Sequence, residues 1–188
     1  MKDILLFKDN QIPLATCIYN LAINSETRPL LISIGGKSGV GKTEIATLVK
    51  NKLNDSMLYT KVISQDSYYL KGHESHRVDT DCESVGRDEL CWTSIKNGIM
   101  NLMNSGIYDV VILEGLYACS YPSDLKVYIS QSYDDSYEFR RDRGKENPDS
   151  NHRQMVLRCE AEEVRKTKEG SIILTYDMGE SIYPEGHE

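Results

Sequence analysis

Apolar residues along the chain fall into two patterns, short unbroken runs and stripes at helical spacing. Leu14, Ile18, Leu21 and Ala22 form such a stripe and predict a leading helix over 12–24, broken by Arg28-Pro29. The run at 30–34 reads as a buried strand ended by Gly35-Gly36, and Ile45, Leu48 and Val49 predict a helix over about 42–53. A second strand is expected at about 60–64, followed by a polar stretch rich in Tyr, His and Asp over 65–86. Leu90, Ile95, Ile99, Leu102 and Met103 then predict a helix over about 87–104. The run at 109–113 is apolar enough for a strand covered on both faces. Further strands are expected at 125–130 and 172–176, with a short helix at 134–141 and a charged one at 152–168. The 160–168 run reads as a solvated helix face, and the tail over 179–188 as loose.

Strands alternating with helices imply a mainly parallel five-stranded sheet with right-handed crossovers and helices on both faces. Ligands of such sheets sit beyond the carboxyl ends of the strands, beside a switch in strand order. Three polar segments directly follow predicted strands: 36–43, 66–69 and Glu114-Gly115. They are expected to converge on one crevice.

Composition narrows the class. The 188 residues suit one domain, with 39% hydrophobic and 27% charged residues, which argues against disorder across the chain. A net charge of -7 disfavours a protein whose affinity comes from neutralising nucleic-acid phosphates. Cys17, Cys82, Cys91, Cys119 and Cys159 are scattered, and an odd, dispersed set suits reduced thiols in a cytoplasmic protein better than a disulfide framework or a zinc site. The apolar run Ile4 to Phe7, between Asp3 and Asp9, is too short and too acidic for a signal peptide, and no segment approaches membrane-spanning length. His73, His76, His152 and His187 lack metal-ligand spacing.

The segment Gly36-Lys37-Ser38-Gly39-Val40-Gly41-Lys42-Thr43 has the spacing of a phosphate-binding P-loop, between a predicted strand and a predicted helix. Its glycines let the backbone curl so that successive N–H groups face phosphate oxygens, and the helix beginning near Lys42 adds its positive dipole end. The Lys42 ammonium can reach the β- and γ-phosphates, and the Thr43 hydroxyl can coordinate Mg²⁺. Glu114, at a strand end, can hold Mg²⁺ directly or through water, and Gly115 permits close backbone approach.

With Ile63-Ser64-Gln65-Asp66-Ser67-Tyr68-Tyr69 after the second strand and Asp109-Val110-Val111-Ile112-Leu113-Glu114-Gly115 at the third, the chain resembles the uridine kinase and phosphoribulokinase family of P-loop kinases over roughly 28–178. The resemblance implies a three-layer P-loop kinase fold with a short lid over about 140–151. It also implies ATP as phosphate donor, Mg²⁺, and a small hydroxyl-bearing acceptor. Asp66 takes the place of the catalytic base, Tyr68 and Tyr69 lie in the substrate motif, and Asp81, with Asp79 as runner-up, matches a substrate-binding aspartate. Arg140, Arg141 and Arg143 match the lid arginines, whose guanidinium groups can stabilise charge on a phosphoryl group in transfer.

The chain departs from that pattern at three places. Lys37 stands where the family usually carries a small residue, and the lid lacks several residues between its arginine pairs. No room is left before Asp109 for the hairpin that helps nucleoside kinases recognise the base, so the acceptor is not fixed as uridine. Two other readings of the P-loop are a kinase acting on a hydroxyl within DNA or RNA and a nucleotide-dependent regulatory module. The second needs a γ-phosphate-sensing segment and a water-positioning residue, and neither is identifiable.

Overall fold

The computed structural model describes residues 5–70, 86–132, 136–137, 140–141 and 151–176, the side chains of 152 and 153 excepted. In chain order the elements are α1 (Gln11–Ile23), β1 (Leu30–Gly36), α2 (Lys42–Asp55), β2 (Thr60–Ser64), α3 (Trp92–Met103), β3 (Val110–Glu114), β4 (Leu125–Ser130), α4 (Asn151–Lys166) and β5 (Ile172–Thr175). The strands form one sheet in the order β2-β3-β1-β4-β5, and every pairing is parallel.

Strand alternation divides the core into two layers. Leu30, Ile32 and Ile34 of β1, Val110 and Ile112 of β3, and Val127 and Ile129 of β4 face a cluster completed by Leu14, Ile18 and Ala22 of α1 and Ile45, Val49 and Leu53 of α2. Leu31, Ile63, Val111, Leu113 and Tyr128 face the opposite cluster, which contains Ile95 and Ile99 of α3 and Val164 of α4. Two-sided burial is why β1 and β3 read as near-continuous apolar runs. Strand order reverses around β1, with β3 on one side and β4 on the other, so the crevice such a reversal opens lies where β1 meets the glycine loop.

The helix expected over 87–104 begins later. Arg87–Glu89 forms a 3-10 turn closed by Glu89 Oε1 accepting from Gly86 N at 2.9 Å. Leu90 then bridges antiparallel to Tyr69, and Cys91 N donates to Tyr68 O at 2.9 Å. A long-range pairing has taken backbone groups that a local helix would have used. Cys17, Cys91 and Cys119 are free, but Cys159 is disulfide-bonded, which departs from the expectation of uniformly reduced thiols. Residues 136, 137, 140 and 141 are helical, as expected for 134–141, and 142–150 and the 179–188 tail lie outside the described residues. Among the described residues no helix is long and apolar enough to cross a membrane.

Candidate active site

β1 delivers the chain into the glycine loop, and α2 carries it away. Gly41 caps α2 in the left-handed region, at φ 76°, and its carbonyl accepts from Ile45 N at 2.9 Å. Gly39 is also left-handed, at φ 81°, and a Cβ there would lie 2.6 Å from Ser136 O and 2.8 Å from Arg140 Cγ. Glycine is therefore required twice at Gly39, once by the backbone and once by the helix seated on it. Lys42 Nζ donates to Lys37 O at 2.8 Å and so lies across the loop. A cation at the positive end of α2 prepares this segment for an anion.

The sheet register brings the acidic residues to the loop. Ile34, Glu114 and Ser64 occupy one row across β1, β3 and β2. The segments leaving these strands, the loop, Gly115 and the 3-10 turn Gln65–Tyr68, therefore emerge from the same edge of the sheet. Glu114 is buried, with Thr43 Oγ1 donating to its Oε2 at 3.4 Å and Oε1 lacking any hydrogen-bond partner. Burial raises its pKa above the ordinary value, as does the Asp66 carboxylate, whereas a hydrogen bond with Ser64, the Lys42 charge and the Thr43 bond hold it down. Lys42, Thr43, Asp66 and Glu114 thus share one electrostatic neighbourhood, the expected convergence.

Asp66 is exposed on its turn. The turn is anchored by Gln65, a buried residue whose Oε1 accepts from Tyr117 N at 2.9 Å. Gln65 packs across Gly115, at φ 157°, where any Cβ would collide with it. Tyr68 and Tyr69 are partly buried against the α3 side of the sheet, and a Cβ at Gly98 of α3 would lie 3.0 Å from the Tyr68 hydroxyl. A cavity of about 350 Å³ adjoins the turn, lined by residues including Ser64, Ser67, Tyr68 and Asn101.

The arginines divide. Arg140 is buried, and its Nη1 donates to Ser38 O at 2.9 Å and to Ser136 Oγ at 3.2 Å, placing a guanidinium against the loop. Lys37 beside it has a lowered pKa, through burial and then the Arg140 charge. Arg141 is exposed, and Arg143 and Asp81, with Asp79, lie outside the described residues. Among the described residues no group of three or more His, Cys, Asp or Glu could hold a metal alone. The pair Thr43 and Glu114, with one buried carboxylate oxygen unpartnered, does fit a Mg²⁺ ion whose other ligands are phosphate and water.

Sequence reading passed over Gln65, Gln11 and Tyr176. Gln11 left a signal, since it heads the buried stripe Gln11, Leu14, Ile18, Ala22, where an apolar residue belongs. Tyr176, just past β5, left none. Its hydroxyl donates to Val40 O at 2.7 Å.

No protein-family model matches the chain. Curated relatives are uridine kinases from Clostridium botulinum strains Langeland and Okra, each 27% identical over 135 aligned residues, covering 57% of this chain. The chain spans 65% of the length of those relatives. Two solved structures share the fold. A possible uridine kinase from Bacillus stearothermophilus has a TM-score of 0.58 at 16% identity, covering 88% of this chain and 97% of its own. A D-glycerate 3-kinase from Cryptococcus neoformans has a TM-score of 0.57 at 12% identity, covering 90% and 94%. The chain has the α/β fold of the P-loop kinases and resembles, in sequence, the uridine kinases among them.

Proposed function

We propose that this chain is an ATP-dependent phosphotransferase that moves the γ-phosphate to a hydroxyl of a small molecule, working as a single domain in the cytoplasm. The observation that carries the reading is the shared neighbourhood of Lys42, Thr43, Asp66 and Glu114 at one edge of the sheet. The acidic net charge disfavours a polymeric nucleic acid as acceptor.

In this mechanism the loop backbone over 36–43 and the Lys42 ammonium hold the phosphates, and Arg140 adds positive charge at Ser38. Asp66 accepts the proton of the acceptor hydroxyl as its oxygen bonds to the γ-phosphorus. The bond from that phosphorus to the β–γ bridging oxygen breaks, and ADP departs with the electron pair. Thr43 and Glu114 would hold Mg²⁺, which supplies charge neutralisation on the phosphate oxygens. The protein's contribution is positioning and preorganised charge, since phosphoryl transfer has a loose transition state that needs little covalent chemistry from its catalyst. Tyr68, Tyr69 and Asp81 are assigned to the acceptor side, and Arg141 and Arg143, with Arg140, to stabilising charge on the phosphoryl group in transfer.

The test is transfer of radiolabelled γ-phosphate to panels of nucleosides, sugars, vitamins and oligonucleotides. A small-molecule product is expected, and a product confined to oligonucleotides, with salt-sensitive binding, would reassign the acceptor. With that product in hand, Asp66→Asn should lower kcat by roughly 10²–10⁴-fold while ADP affinity is retained. Undiminished turnover would remove Asp66 from the chemistry.

A further inference from the structure

We propose that Gln11 of α1 and Tyr176, just past β5, are positioning residues of the nucleotide site, forming a polar brace behind the Val40-Gly41 peptide. The inference rests on the reading of 36–43 as a nucleotide loop and extends that site to two segments outside the motif.

The peptide between Val40 and Gly41 is the last one before Lys42, so its orientation sets how the loop enters α2. Tyr176 Oη donates to Val40 O at 2.7 Å. In a planar trans peptide the carbonyl and the N–H point in opposite directions. A carbonyl held on the Tyr176 side therefore aims the Gly41 N–H away from Tyr176, and an isolated left-handed glycine would otherwise leave this peptide free to rotate. Gln11 supplies the second contact. Its side chain is fully buried, its Oε1 accepts from Lys8 N at 2.9 Å, and its Nε2, buried without a hydrogen-bond partner, lies against the loop at Gly41.

Both polar atoms sit against one point. A Cβ on Gly41 would lie 2.6 Å from Gln11 Nε2 and 2.9 Å from Tyr176 Oη. Glu44, in the first turn of α2 and also buried, has an Oε2 without a hydrogen-bond partner and acts electrostatically on Tyr176. Burial pushes the Tyr176 pKa up to about 12, so the phenol, already protonated at neutral pH, remains a donor in basic solution as well. A glutamine on the apolar stripe of α1 costs stability relative to leucine unless its polar atoms are used. Gln11 bears part of that cost, since Nε2 is unpartnered, and it bears it where the loop enters α2.

The experiment is calorimetric titration of wild type, Tyr176→Phe, Gln11→Leu and the double variant with ADP and Mg²⁺, beside thermal unfolding. Tyr176→Phe keeps the ring that packs on the core and removes only the hydroxyl, so a purely structural role predicts unchanged affinity. The brace predicts ADP binding weakened by about five- to tenfold with unchanged stoichiometry. It also predicts a double variant weaker by less than the product of the single effects. Affinity within twofold of wild type in Tyr176→Phe overturns the brace, and so do multiplicative effects in the double variant. Should Gln11→Leu fail to fold, the Tyr176→Phe affinity decides alone. Absence of ADP binding by wild type would instead overturn the nucleotide-loop reading and the brace with it.

Discussion

Glu114 carries the strongest electrostatic conflict described at the site. It is a carboxylate 3% exposed, hydrogen-bonded by Thr43 and Ser64 but with its Oε1 unpartnered. Burial raises its pKa above the ordinary value of 4.5. An acid whose pKa is higher folded than unfolded binds more protons in the folded state. Its cost to stability therefore appears as pH rises above the unfolded value and persists at neutral pH. Nucleotide-free Glu114→Gln should accordingly melt above wild type at about pH 8, and that advantage should shrink towards about pH 4 as wild type takes up its proton. A variant melting at or below wild type at the higher pH would contradict the assignment. The retention of an unfavourable buried charge is what a cation-holding role would require.

Among the elements, α2 shows local chemistry and function meeting at opposite ends. Its start is the Gly41-Lys42 junction proposed to face phosphate, and its end is a Schellman turn. Leu58 N donates to Leu53 O and Met57 N to Asn54 O, both at 2.9 Å. Met57 occupies the left-handed position of this turn, at φ 63°, while 81% exposed. Glycine is the residue that position favours. Met57→Gly should raise stability by about 0.5–1 kcal/mol, net of the greater backbone freedom of unfolded glycine. That corresponds to roughly 1–4 °C in Tm. A fall in Tm would show that the methionine makes a contact worth more than the strain it bears. The start of α3 teaches the reverse lesson, because the pairing of Leu90 with Tyr69 displaced a helical turn that side-chain periodicity favoured.

At the scale of the molecule, the glycine loop follows β1, the strand at which the sheet order reverses. α1 and α2 pack on one face, α3 and α4 on the other, and the loop emerges between them at the strand reversal beside β1. A nucleotide bound there stabilises only the folded chain. At a concentration about 100 times its Kd it should add about 2.7 kcal/mol, or roughly 5–10 °C in Tm for a domain of this size. Lys42→Ala should reduce that shift sharply. A full shift in the variant would contradict the role of the lysine in holding phosphate.

The strands, α1, α2 and the loop were legible in the sequence because their signals are local: unbroken apolar runs, 3.6-residue stripes, and glycines at a fixed spacing before Lys42-Thr43. Asp66 and Glu114 were legible as strand-end acids, and the parallel register that places Ser64 and Glu114 in one row brings them together. Sequence alone thus determined the element order, the glycine loop between β1 and α2 and the residue types available for chemistry. Tertiary structure decided which groups meet: Arg140 on Ser38, Gln65 on Tyr117, and Tyr176 on Val40, across 102, 52 and 136 positions respectively. Such pairs leave no periodic trace in the sequence, because one hydrogen bond between distant segments constrains a single position in each and is set only when the sheet closes.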